Sequence, residues 1–255
     1  MIISHKYKYV FIGLPLAAST AISKELCEKY DGKPILSKHS IYQDFLKIAT
    51  KEEKRYKVIA CARNPLDISV SYYTKMINDS SGNFTDEKLL RKNGGHLKMR
   101  DYKFSKYLRK NKCSYTQFLK KYYRVPFDNW LSITAPYCNF IIRFNKLQED
   151  FEKALVYCGI NPKRKLPIVN QTQKKMNFES YYNEENSALS FAIFGPYMLK
   201  HGMAFPKIWD GKIISPFKII LFKFLGFIRK IYWIKNDYRN GINQKVYAEL
   251  IKKYG

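Results

Sequence analysis

Acidic side chains are scarce in this chain: 21 Asp and Glu stand against 46 Lys and Arg, a net charge of +25. An excess of that size must be spread over much of the surface, so an anionic partner is expected. Nucleotide phosphates, sulfated or acidic glycans, anionic lipid and nucleic acid all qualify, and charge alone does not choose among them. The four histidines (His5, His39, His96 and His201) are scattered without metal-ligand spacing, so no metal site is offered. The five cysteines (Cys27, Cys61, Cys113, Cys138 and Cys158) are odd in number and lie inside apolar runs without a C-x-x-C pair. That usage argues against a disulfide framework and reads as reduced core thiols in a cytosolic protein. The N-terminal residues lack the apolar core of a signal peptide, so no export signal or anchor is expected there. The longest apolar stretch, 213–234, is interrupted by Lys218, Lys223, Arg229 and Lys230 and weakened by Pro216 and Gly226. A membrane-spanning helix is therefore not expected.

What is present is a globular composition, 46% hydrophobic and 16% aromatic over 255 residues, enough for one well-buried α/β domain. Short β-branched and aromatic runs at 7–13, 35–36, 57–62 and 139–144 read as strands. Between them, 19–30, 41–49, 64–77, 114–123 and 148–158 read as helices. Asn64-Pro65 is a strong helix start, and Gly159 fits a C-terminal cap. Residues 78–112 read as a polar excursion from the core. Alternating strands and helices predict a P-loop-like three-layer α/β/α domain with a central parallel sheet. It is expected over residues 1–205, followed by a basic, apolar C-terminal helical extension over 206–255.

Parallel sheets bind ligands at the carboxyl ends of their strands, where helix N-termini offer N–H groups to anions. The first such loop is Gly13-Leu14-Pro15-Leu16-Ala17-Ala18-Ser19-Thr20. Against the ATP/GTP P-loop pattern it keeps Gly13 and Thr20 but lacks the lysine, which argues against nucleoside triphosphate hydrolysis. Its small residues still permit close approach of a phosphate, although an ordinary helix cap would look the same. At the second strand end, Arg63 precedes Asn64-Pro65, and Ser71 falls about two helical turns further on. An Arg fork and a serine hydroxyl suit a phosphate monoester, and a surface Arg with a helix-facing Ser is the plainer reading.

The loop Pro15-Leu16-Ala17-Ala18-Ser19-Thr20 resembles the 5′-phosphosulfate loop of the sulfotransferases that use 3′-phosphoadenosine 5′-phosphosulfate (PAPS), roughly P-K-x-[GA]-[ST]-[ST]. Arg63-Asn64-Pro65 through Ser71 is similar to that family's 3′-phosphate motif. Phe144 to Phe151 resembles its strand-to-helix passage, and Leu166-Pro167-Ile168-Val169-Asn170-Gln171-Thr172 its loop near the nucleotide. The resemblance implies PAPS as donor, its bisphosphate product PAP, no metal, and a hydroxyl-bearing acceptor. It implies a nucleotide site drawn from Pro15, Ala17, Ala18, Ser19, Thr20, Arg63, Ser71, Asn170, Lys174 and Lys175.

Sulfuryl transfer needs a base for the acceptor hydroxyl and donors for the charge on the leaving phosphate. His39, in Ser37-Lys38-His39-Ser40 after the short second strand, is the expected base, with a capping or surface role as the alternative. Its position resembles that of the catalytic His in the 2-O- and related carbohydrate sulfotransferases, which implies a glycan or glycolipid acceptor. His96 is a second candidate. Leu16 stands where the family loop has a phosphate-binding Lys, a loss of roughly 3 kcal/mol of transition-state stabilisation by analogy with an oxyanion donor. Lys38, Lys174 or Lys175 are candidates to replace it; without replacement, the chain would be a catalytically weak PAP(S)-binding protein associated with membrane. The segment 213–234 reads either as an interfacial helix at an anionic membrane or as a helix packed on the domain. The expected location is the cytoplasm, with the inner membrane face following from the interfacial reading. No nucleic-acid partner is expected, since no recognition motif accompanies the charge.

Overall fold

The computed structural model describes residues 1–79, 82–167, 177–235 and 244–255, with side chains beyond 247 in the last segment. Its strands are β1 (Ile2–Ser4), β2 (Tyr9–Ile12), β3 (Lys33–Pro34), β4 (Lys57–Ala62) and β5 (Phe140–Arg143). The helices are α1 (Ser19–Lys29), α2 (Tyr42–Ile48), α3 (Pro65–Asn78), α4 (Met99–Lys110), α5 (Tyr115–Tyr122) and α6 (Leu131–Thr134). They continue with α7 (Leu147–Tyr157), α8 (Glu184–Lys200), α9 (Pro216–Lys235) and α10 (Gln244–Tyr254). The chain divides into two compact units, one of residues 1–63, 129–171 and 231–255, the other of 64–128 and 172–230.

The first unit holds the sheet, in the order β3-β1-β2-β4-β5. β2, β4 and β5 run parallel, in register through Ile12↔Ala60 and Ala60↔Ile141. β1 pairs antiparallel with both β2 and β3. The expected parallel centre is therefore present, within a mixed sheet flanked by helices. Every residue of β2 is fully buried, as its unbroken apolar run requires of a central strand. β1 lies ahead of the strand read from the sequence because Lys8, at φ 52°, turns the chain back into a hairpin. The short strand expected at 35–36 instead falls at Lys33–Pro34, and Leu36 takes a positive φ of 56°.

Side chains then fasten the helices. Arg143 donates from its backbone N–H and two guanidinium nitrogens to the buried Asp150 carboxylate of α7, at 2.7–2.8 Å. Those bonds hold Asp150 below the ordinary carboxylate range. Phe151 beside it is buried edge-on to Tyr30, whose carbonyl accepts from the Tyr9 hydroxyl at 2.9 Å. Gly159 closes α7 at φ 77°, and Ile160 N–H returns to the Leu155 carbonyl at 2.9 Å.

The second unit is helical and aromatic. Asn64 caps α3 by accepting from Leu66 N–H at 2.9 Å, with Pro65 as the first helical residue. The tyrosine hydroxyls form a chain: Tyr182 donates to the Leu66 carbonyl at 3.0 Å, and Tyr115 bonds both Tyr182 and Ser69, at 2.5 and 2.9 Å. Residues 78–112 are not an excursion throughout, because α4 buries Asp101, Ser105 and Leu108. Ser105 donates to the Met76 carbonyl of α3 at 2.8 Å. Five Lys and Arg in α4 obscure that narrow buried face in the sequence. All five cysteines are free thiols; burial pushes Cys27, Cys61 and Cys138 up to about 12 and Cys158 to about 11.

Candidate anion and transfer site

β2 ends in Gly13, and the chain must turn from the strand into α1 within a few residues. A Cβ at Gly13 would lie 3.0 Å from the Lys38 carbonyl and 3.1 Å from Ser19 Cβ, so a larger residue there would have to displace these segments by a few tenths of an ångström. The turn is sharp enough to hold Leu16 at φ 62° and Ala18 at φ 52°, with Ala17 between them. Left-handed conformations at residues with a Cβ cost on the order of 1 kcal/mol each. Such alternation also makes a nest of backbone N–H groups that suits an anion.

Ala18 is the N-cap of α1 and makes no side-chain capping bond, and the first turn contains no acidic residue. The N–H groups of that turn have no intrahelical acceptors, and the positive end of the helix dipole faces no carboxylate within the turn. The plainer reading, in which the loop's Ser and Thr merely cap α1, does not describe what is found. Ser19 and Thr20 lie inside the helix.

Three further side chains converge on this loop from other segments of the first unit. Lys38 is only 5% exposed, and its ammonium donates to Thr20 Oγ1 at 2.7 Å. His39, 6% exposed, meets the Gly13 carbonyl through Nδ1 at 2.5 Å. A carbonyl oxygen only accepts, so Nδ1 carries the proton. The lone pair of the neutral ring is then on Nε2, the form a general base needs. The His39 ring lies 6.5 Å from that of Trp130. His39 is thus neither a surface residue nor a helix cap. Arg63, at the end of β4, donates from Nη1 to the Leu16 carbonyl at 2.8 Å and stacks its guanidinium 4.2 Å from the Phe144 ring.

The loop, Lys38, His39 and Arg63 therefore form one cluster of positive and N–H donor groups around a strained turn. Pro15 is exposed on it, Ala17 and Ser19 are buried, and Ala18 and Thr20 are half-buried. Ser71 is buried in α3 of the second unit. Asn170, Lys174 and Lys175 lie outside the described residues. His96 belongs to the second unit, and burial lowers its pKa. Neither Trp130 nor Phe144 is legible in the sequence as a support for His39 or Arg63: Trp130 belongs to no motif, and the motif that begins at Phe144 gives no sign of its contact with Arg63. Among the described residues no cluster of His, Cys, Asp or Glu could hold a metal ion.

Among known families, the sulfotransferase domain matches residues 5–187, more than half of the chain. The matched span contains the loop, Lys38, His39, Arg63 and Ser71. No curated protein and no solved structure matches the chain.

Proposed function

The chain belongs to the sulfotransferase family, and we propose that it moves the sulfuryl group of PAPS to a hydroxyl of a carbohydrate or glycolipid. The observation that carries this reading is Lys38, whose ammonium reaches Thr20 although the loop itself has Leu16 at the family's lysine position. A cation contributed from a neighbouring segment makes good the missing loop lysine. The donor set also fits a phosphate-bearing ligand: N–H groups, hydroxyls, one ammonium and one guanidinium, with no carboxylate in the first turn of α1.

The nucleotide would be held at its 5′ end by Pro15, Ala17, Ala18, Ser19 and Thr20. The family motif assigns Arg63 and Ser71 to the 3′-phosphate, and the sequence resemblance adds Asn170, Lys174 and Lys175 as further nucleotide contacts. The acceptor oxygen forms a bond to sulfur as the bond from sulfur to the 5′-phosphate oxygen breaks. His39 Nε2 takes the acceptor's proton, and Lys38 with the N–H groups of the turn stabilises the charge left on the phosphate. The glycan preference rests on the placement of His39 between the two phosphate motifs.

Incubating the protein with sulfur-labelled PAPS and a panel of glycans, glycolipids and small phenols tests the reading. Label transferred to a carbohydrate hydroxyl, and lowered about 10²- to 10³-fold in Lys38→Ala, is the expected result. PAP binding without transfer to any acceptor would instead identify a binding protein in which Leu16 has cost the activity.

A further inference from the structure

Among the described residues, α9 is held along one side by Phe222 and Arg229. Phe222 is 5% exposed beneath the Lys200 ammonium, which lies 5.7 Å from the ring centre. Arg229 donates to the Pro126 carbonyl at 2.8 Å. Away from that side run Phe217, Ile220, Phe224, Phe227 and Ile228, spaced to share one helical face. The first four are 61–65% exposed, which makes a continuous apolar stripe rather than scattered surface residues. The helix has no Asp or Glu, and Lys223 and Lys230 border the stripe. Among the described residues no helix is long and apolar enough to cross a membrane.

We propose that this face docks on an anionic lipid bilayer, with α9 lying in the interface. Its phenylalanines enter the acyl boundary and its lysines reach the headgroups. Charge complementarity selects this occupant. A second copy seated on the stripe would bring the lysines of both helices together without a carboxylate in either helix, between chains of +25 each. A surface of anionic headgroups covers the apolar stripe and neutralises its border together. The inference does not depend on the nucleotide or the transfer reaction.

Co-sedimentation of the full chain with vesicles tests it, using phosphatidylcholine alone and phosphatidylcholine mixed roughly two to one with phosphatidylglycerol. Binding to the mixed vesicles and not to phosphatidylcholine alone is expected. Phe224→Ser/Phe227→Ser keeps every charge and, with an unchanged circular dichroism spectrum, should bind the mixed vesicles at least about tenfold more weakly. Lys223→Ser/Lys230→Ser should lose a similar factor. Undiminished binding by the phenylalanine variant would overturn the proposal, since general charge attraction would then suffice. Absence of vesicle binding would overturn it too, and a dimer seen by light scattering and lost in the phenylalanine variant would assign the stripe to a second copy.

Discussion

Gly13 and His39 share one contact and place different demands on it. The Gly13 carbonyl fixes the tautomer of His39, while its missing Cβ leaves room for Ser19 and the Lys38 backbone. Gly13→Ala should therefore cost about 1–3 kcal/mol in urea denaturation, with a larger proportional loss of PAP affinity as the loop shifts. His39 separates base from support. In His39→Asn the side-chain amide can still donate to the Gly13 carbonyl, but the basic Nε2 is gone. That variant is expected to keep the wild-type Tm and PAP affinity while kcat falls about 10²- to 10⁴-fold and loses its dependence on an imidazole ionisation. A wild-type kcat would reduce His39 to a positioning residue. The small residues of the loop and the adjacent Lys38 and His39 could be identified from their order along the chain. The contact from Lys38 to Thr20 could not, because it depends on how two segments 18 residues apart fold against each other.

Elements were legible where their pattern was pure. β4 was readable to its ends and α3 from its cap, because a buried apolar run and Asn-Pro each admit few alternatives. α4 was hidden by its charges, and β1 by its brevity. The Asp-Phe pair of the family's strand-to-helix passage has a physical basis here: Asp150 receives Arg143 and Phe151 packs on Tyr30. Because Asp150 titrates below its ordinary value when folded, its contribution is complete above about pH 4 and is lost as pH falls through the folded value. Asp150→Asn should lower Tm by several degrees at pH 7 and much less near pH 2. The C-cap of α8, His201, acts in a different window. Burial lowers it to about 4, so the unfolded chain takes up the proton first and stability declines as pH falls from about 6.5 to about 4. His201→Gln should flatten the denaturation midpoint across that window; an unchanged slope would mean the ring protonates normally in the fold.

At the scale of the whole chain, the charge of +25 opposes compactness through self-repulsion. Raising salt from about 10 mM to about 150 mM shortens the screening length from roughly 30 to 8 Å. Tm should rise over that range, and a fall would mean that favourable ion pairs outweigh the repulsion. Composition implies an anionic partner without saying which, and the proposed function makes that partner a phosphate-bearing nucleotide. On the proposed function, Arg63 and the loop bind a bisphosphorylated nucleotide. Titration calorimetry with PAP, and with 5′-AMP as control, tests it most directly in wild type and in an Arg63→Ala variant of unchanged circular dichroism. PAP is expected to bind well above 5′-AMP, with affinity falling about ten- to hundredfold in the variant. Equal binding of both nucleotides, or binding of neither, would contradict the proposed function.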